Sequence, residues 1–191
     1  LRGGADLRDG AGGAVHAVGP HGLDRIDHDE MRPLGLERGE RVAEIIVVDD
    51  GSDADTRTMV RALADKHSDV TCILQENQGP SAARNRGVEE ATAPYVAFLD
   101  ADDVWYPDKL ERQFYFLDEH PSVALLCSDF AIEQDRQCRH ARARHLDYRR
   151  GDNLESLFLR GGPILMSTVV LRRSVFEEVG GFDVRFPKGQ D

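Results

Sequence analysis

The sequence predicts an α/β fold in which a mostly parallel sheet is flanked by helices. From Glu44 onward, short apolar runs rich in β-branched residues alternate with segments of helical periodicity. Clusters of acidic residues directly follow two of these runs, at 49–50 and 100–103. The length of 191 residues is enough for one domain with a hydrophobic core and short for two.

The predicted elements alternate along the chain as this fold class requires. The run 44–49 is apolar almost throughout, as suits a strand that is covered on both faces. Ser52 or Asp53 can cap the next helix, which we expect to end near Lys66. Further strands are predicted at 70–75, 95–99, 123–127 and 164–171, and further helices at 81–91, from Pro107 onward, at 153–159 and at 174–179. The polar segment 133–151 is expected to be irregular.

Residues 1–43 differ in composition from the rest of the chain. The first 40 residues hold half of the 18 glycines and contain no Phe, Tyr or Trp. Such a segment buries little apolar surface, so we expect it to be disordered or non-native. The sheet would then lack its first strand, and the domain would span 44–191. A wrong reading frame upstream of Glu44 is one hypothesis for this composition, and translation of the other two frames tests it.

Charge and cysteine content restrict the partners and the compartment. The net charge of -11 argues against nucleic acid or an anionic membrane as the main partner. Cys72, Cys127 and Cys138 lack zinc-site spacing and indicate a reducing compartment, where they are most simply buried small apolar groups. We find no apolar stretch near the roughly 20 residues of a membrane helix and no signal peptide. We therefore expect a cytoplasmic protein, with the inner face of the membrane as the alternative location.

The two acidic clusters, 49–50 and 100–103, are the candidate ligand site. In open α/β sheets, ligands bind beyond the carboxyl ends of the strands, which is where both clusters fall. Asp-Gly and Asp-Asp are also good turn formers, and that interpretation stays open for either cluster alone. Three carboxylates within four residues repel one another, however, and Mg²⁺ or Mn²⁺ relieves this repulsion through the oxygen ligands that it prefers.

Several short motifs follow one another in a fixed order. They are VVDDGS at 47–52, NQG at 77–79, ARNRG at 83–87, FLDADD at 98–103, YPDKL at 106–110, VGGFD at 179–183 and GQD at 189–191. In this order they resemble the signature of family 2 glycosyltransferases, over about residues 44–191. The resemblance implies a GT-A fold and inverting transfer of a sugar from a nucleotide-sugar donor. The acceptor hydroxyl would belong to a glycan, a lipid-linked molecule or a protein.

The resemblance also implies roles for the acidic residues. Asp50 matches the carboxylate that hydrogen-bonds the base of the nucleotide, whereas Asp49 orients the loop. Asp100 and Asp102 match the carboxylates that bind the ribose and the Mn²⁺ or Mg²⁺ ion on the diphosphate. Asp102 is the stronger candidate for the metal ligand. Asp191 matches the catalytic base, and because it is the final residue we expect slow turnover from this chain as it stands.

Two other residues near the acidic clusters have alternative interpretations. Arg84 lies one turn into a predicted helix whose start faces the ligand edge, so it either meets the nucleotide or forms a structural salt bridge. Trp105 could stack on a sugar or base, although core packing is favoured.

Two further function classes stay open at this point. One is a nucleotide-binding or interaction module without catalysis, and the other is a nucleotidyltransferase. The second lacks support, because no Gly-rich phosphate loop lies near the first predicted strand.

Overall fold

The computed structural model describes residues 13–18, 42–134, 137–141 and 164–186, and for 13–18, 133–134 and 137–141 it describes the backbone alone. The elements in these ranges are β1 (Gly13–Val18), β2 (Val42–Asp50), α1 (Ala54–Lys66), β3 (Val70–Gln75), α2 (Pro80–Glu90), β4 (Tyr95–Asp100), α3 (Lys109–Glu119), β5 (Leu125–Cys127), β6 (Phe130–Gln134), β7 (Gln137–Ala141), β8 (Val169–Arg172) and α4 (Arg173–Val179). A 3-10 turn, Met166–Thr168, precedes β8.

The main sheet has six strands in the order β3-β2-β1-β4-β8-β5. The four strands β3, β2, β1 and β4 run parallel to one another, while β8 is antiparallel to both of its neighbours. This arrangement confirms the predicted mostly parallel α/β sheet. It also brings the carboxyl ends of β2, β1 and β4 to one edge.

The expectation that the first strand is missing is wrong. β1 lies between β2 and β4, with Val18 in register with Val48 on one side and Asp100 on the other. Its sequence, GAVHAV, contains weak strand formers, so local propensity does not reveal it. Pairing on both edges supplies the backbone hydrogen bonds that specify the strand. The rest of 1–43 lies outside the described residues apart from the start of β2, so the proposed segment boundary stays a prediction.

The segment 133–151 also differs from its expectation, in part. Residues 130–134 and 137–141 form a two-stranded antiparallel hairpin, with Gln134 in register with Gln137. Hydrogen bonds between β6 and β7 pair the backbone N–H and C=O groups of the hairpin. This pairing does not require apolar and polar residues to alternate in the sequence. Residues 142–151 lie outside the described part, as does the helix predicted at 153–159.

The core lies on both faces of the sheet, as the apolar run of β2 predicts. Ile45 and Val47 pack on one face, and Ile46 and Val48 pack on the other. The first face is covered by α1 and α3, whose buried apolar side chains are Val60, Leu110, Phe114 and Leu117. The second face is covered by α2 and α4, whose buried apolar side chains include Ala83, Val88 and Phe176.

A side-chain cap explains where α1 begins, whereas α3 begins without one. Of the two predicted caps, Ser52 and Asp53, the second caps α1, because the Asp53 carboxylate accepts a hydrogen bond from the Thr56 N–H at 2.8 Å. Pro107 was expected in the first turn of α3, but the helix begins at Lys109, so Pro107 precedes it by two residues.

No helix of the described residues is long and apolar enough to cross a bilayer.

Candidate functional site

Asp50, at the end of β2, is buried and holds the loop between β3 and α2. Its Oδ1 accepts hydrogen bonds from the Gln75 side chain and the Gln78 N–H, both at 2.8 Å. Its Oδ2 accepts from the Gly79 N–H, also at 2.8 Å. These bonds use three of the roughly four acceptor positions of a carboxylate. Asp50 therefore fixes the start of α2, a structural task that the sequence did not reveal.

The neighbouring Asp49 is buried as well and closes the turn after β2. Its Oδ1 accepts from the Ser52 N–H at 2.7 Å, and its Oδ2 lies 3.4 Å from the Arg57 Nε. Gly51 lies within this turn with φ of 87°, and a Cβ there would come within 2.8 Å of the Asn77 backbone nitrogen. Glycine is needed at 51 because the chain turns tightly against the β3–α2 loop.

Arg84 and Asp100 form an ion pair across the carboxyl edge of the sheet. One guanidinium nitrogen lies 2.9 Å and 3.2 Å from the two carboxylate oxygens. The Arg84 side chain is 3% exposed, whereas that of Asp100 is 29% exposed. The salt-bridge alternative for Arg84 is thus present in the structure. Its partner is a predicted ligand-binding carboxylate, so the pair belongs to the same site.

The loop after β4 carries the other acidic residues. The Asp103 N–H donates to the Asp100 carbonyl at 3.0 Å, which closes a turn that leaves the side chains of Asp102 and Asp103 exposed. Within the described ranges, no group of three His, Cys, Asp or Glu side chains is arranged to hold a metal ion by itself. Mg²⁺ and related ions commonly take one or two carboxylates, with phosphate and water oxygens completing the shell. Asp102 with Asp100 fits that donor set.

Ser167, which the sequence analysis missed, is hydrogen-bonded to both ends of this loop. Its hydroxyl accepts from the Asp100 N–H at 3.0 Å, and its carbonyl accepts from the Trp105 Nε1–H at 2.6 Å. Trp105 is buried in the core, which confirms the favoured packing role. No local motif marks Ser167, because its role depends on a contact between residues 67 positions apart.

Lys109, on the first turn of α3, lies against Trp105 and has a lowered pKa. Its Nζ lies 4.3 Å from the centroid of the Trp105 ring and donates to the Gln113 side-chain oxygen at 2.6 Å. Both contacts favour the charged form. Burial nevertheless lowers the pKa of Lys109 to about 7. Burial also raises the pKa of the nearby Cys127 thiol to about 11.

Asn85 joins α2 to the turn that follows α4, a contact that the sequence analysis also missed. Its side-chain nitrogen donates to the Phe182 carbonyl, and its side-chain oxygen accepts from the Phe182 N–H, both at 2.8 Å. Beyond the turn, hydrogen bonds from Arg185 lower the pKa of Asp183 to about 2. Asp191, the predicted base, lies outside the described residues, so its role stays a prediction.

Comparison with known proteins identifies the class of the fold. The fold is similar to TarS 1-349 of S. aureus solved with UDP, with a TM-score of 0.69 and 19% identity over 94% of this chain and 52% of that chain. It is also similar to the mannosyltransferase PcManGT of Pyrobaculum calidifontis solved with GDP-Man and Mn²⁺, with a TM-score of 0.60 and 22% identity over 90% and 47%. These likenesses show that the protein has the GT-A glycosyltransferase fold.

The family follows from the sequence match. Residues 36–180 match the family model for glycosyl transferase family 2, so the chain belongs to glycosyltransferase family 2. One relative, the uncharacterized glycosyltransferase RC0461 of Rickettsia conorii, is 33% identical over 135 residues. That match covers 71% of this chain and 22% of the relative, so the chain spans less than a third of that protein.

Proposed function

We propose that the protein transfers a sugar from a nucleoside diphosphate sugar to an acceptor hydroxyl, with inversion and with a divalent metal ion. The observation that supports this most strongly is the convergence of two acidic strand ends, 49–50 and 100–103, at one edge of the sheet. This edge is where ligands bind in open α/β sheets. The acceptor is proposed to be a glycan, a lipid-linked molecule or a protein.

The donor would be bound by residues whose positions are fixed by the contacts above. Arg84 orients Asp100, which is the proposed contact to the ribose. Asp50 supports the nucleotide indirectly, because it holds the backbone of Gln78 and Gly79 at the start of α2. The Asp50 side chain is buried, and the direct base contact that the family resemblance implies would use the remaining acceptor position of its carboxylate.

Asp102 is proposed to hold the Mn²⁺ or Mg²⁺ ion, with Asp100 as a second ligand. When bound, the ion would neutralise charge that develops on the departing diphosphate. The exposed carboxylate of Asp102 supports this role, since the ion must also reach phosphate oxygens.

Asp191 is the proposed catalytic base. A carboxylate has a pKa of about 4, far below that of a sugar hydroxyl, so it accepts the proton only as the hydroxyl oxygen attacks. The new bond to the anomeric carbon would form on one face while the bond to the diphosphate breaks on the other. That geometry yields the inverted product.

Incubation with labelled nucleotide sugars tests the proposal. The UDP- and GDP-linked sugars are the first choice, because TarS has been solved with UDP and UDP-GlcNAc and PcManGT with GDP-Man. We expect transfer in Mn²⁺, little transfer in EDTA, and a product of opposite anomeric configuration by NMR. Saturable donor binding without transfer to any acceptor would favour the binding-module alternative. Retention of configuration would exclude the single displacement.

A substitution at the proposed base separates binding from chemistry. Asp191→Asn should abolish transfer while the donor dissociation constant stays within about twofold, since the base touches the acceptor rather than the nucleotide. Undiminished transfer by this variant would assign the base to another residue.

A further inference from the structure

The turn after α4 is hydrogen-bonded to α2 through the side chain of Asn85. Asn85 projects from α2, and its amide forms two hydrogen bonds of 2.8 Å with the backbone N–H and C=O of Phe182. A side-chain amide has both a donor and an acceptor, so it can hydrogen-bond the C=O and the N–H of one residue, as a neighbouring β-strand does. The contact joins residues 97 positions apart.

Gly181 allows this contact to form. Its φ is +74°, and a Cβ at this position would lie 2.8 Å from the Asn85 Oδ1. Gly180, next to it, has φ of +85°, but a Cβ there would meet nothing within 4 Å. Gly180 therefore ends α4, whereas Gly181 lets the chain approach Asn85 closely.

The Phe182 side chain extends the connection to the donor site. Its ring packs edge-on against Phe98 of β4 and Phe176 of α4, with centroids 5.6 Å and 5.3 Å away. The guanidinium of Arg84 lies 5.7 Å from the same ring while it pairs with Asp100. Adjacent residues of α2 thus contact the acidic loop and the turn after α4 at the same time.

We propose that Asn85 is a positioning residue that fixes the Gly181–Phe182 turn, which precedes Asp191 by nine residues in the sequence, relative to the donor site. This inference rests on the proposed function in so far as Asp191 is the base. Misplacement of a reacting group by about 1 Å can cost on the order of 100-fold in rate. The loss of Asn85 should therefore impair transfer far more than donor binding.

Hydrogen exchange on the full chain tests the structural half of the proposal without any activity assay. In Asn85→Ala, amide exchange at Phe182 should accelerate at least tenfold, because its N–H loses its acceptor, while exchange in β2 and β4 stays unchanged. Arg86→Ala is the matched control, since Arg86 lies next to Asn85 in α2 but is exposed and pairs with Glu90. Unchanged exchange at Phe182 in Asn85→Ala would overturn the proposal.

Kinetics test the functional half. Asn85→Ala should lower the transfer rate by 10- to 100-fold with the donor dissociation constant within twofold, whereas Arg86→Ala should change neither. Asn85→Asp keeps the acceptor but sets a carboxylate oxygen against the Phe182 carbonyl, so its rate should fall as pH rises through the titration of the new carboxyl. A role in stability alone would make unfolding of this variant pH-dependent but would leave the transfer rate of the folded protein unchanged.

The outcomes separate this inference from the proposed function. If the wild-type chain transfers no sugar but Asn85→Ala accelerates exchange at Phe182, the proposed activity fails and Asn85 still fixes the turn. If the wild-type chain transfers sugar and Asn85→Ala does so equally well, the positioning role is overturned and the proposed activity stands.

Discussion

Arg84 and Asp100 pair at 2.9 Å, with the cation almost fully buried and the carboxylate facing solvent in part. The pair sets the orientation of the first acidic residue after β4. Arg84→Met removes a charge-assisted hydrogen bond, which contributes about 2 kcal/mol in typical proteins. We expect a loss of that order in chemical denaturation and weaker nucleotide binding. Arg86→Met, two positions along α2, should change neither, and a similar loss in both variants would contradict the role given to the pair.

Asp50 should contribute strongly to stability, because three N–H donors converge on its buried carboxylate. Asp50→Asn puts an amide among those donors and should lower the unfolding free energy by about 2 to 3 kcal/mol. Urea denaturation measures the change, with the exposed Asp65→Asn on α1 as the control. If nucleotide binding weakened while stability stayed at the wild-type value, a direct base contact would explain Asp50 better than loop support.

The two glycines after α4 offer a matched comparison. Gly180→Ala and Gly181→Ala both impose a left-handed conformation on alanine, which costs roughly 1 to 2 kcal/mol. Only the Gly181 Cβ would lie 2.8 Å from Asn85, so Gly181→Ala should be clearly the more destabilising of the two. Thermal unfolding of the pair measures the difference. Equal melting temperatures would show that the Asn85 contact does not confine this turn.

Lys109 predicts a pH dependence of stability. Its pKa is lowered from 10.5 to about 7 in the folded protein, so between these values the unfolded chain binds more protons. Stability should therefore rise with pH in that window, and the penalty is greatest below pH 7. Lys109→Met should stabilise the protein at pH 6 and do so less at pH 8.5. Urea midpoints of both proteins at the two pH values measure this, and a pH-independent difference would rule out the shifted titration.

The sequence predicted the parts of the fold that local pattern controls, and it missed those that depend on distant contacts. Continuous apolar character predicted β2 and β4, and a short polar residue before a periodic segment predicted the Asp53 cap. β1 was missed because Gly13–Val18 has little strand propensity and is specified by its two neighbours.

The candidate site divides in the same way. The acidic residues were found because carboxylates that directly follow a predicted strand can be recognised from the sequence alone. The contacts of Asn85 with Phe182 and of Ser167 with Asp100 join residues 97 and 67 positions apart, so no local signal could reveal them. The partners of the buried Asp50 were missed for the same reason, since Gln78 and Gly79 contribute backbone N–H groups that any residue other than proline could supply.

Calorimetric titration of UDP and GDP tests most directly whether nucleotide binds through a metal ion at the loop after β4. Binding should be tighter in Mn²⁺ or Mg²⁺ than in EDTA, because Asp102 is proposed to hold an ion that would offset the charge of the diphosphate. Asp102→Asn should remove most of that difference, whereas Asp65→Asn should preserve it. Equal affinity with metal and with EDTA, or a full metal effect in Asp102→Asn, would contradict the assignment of this loop as the metal and donor site.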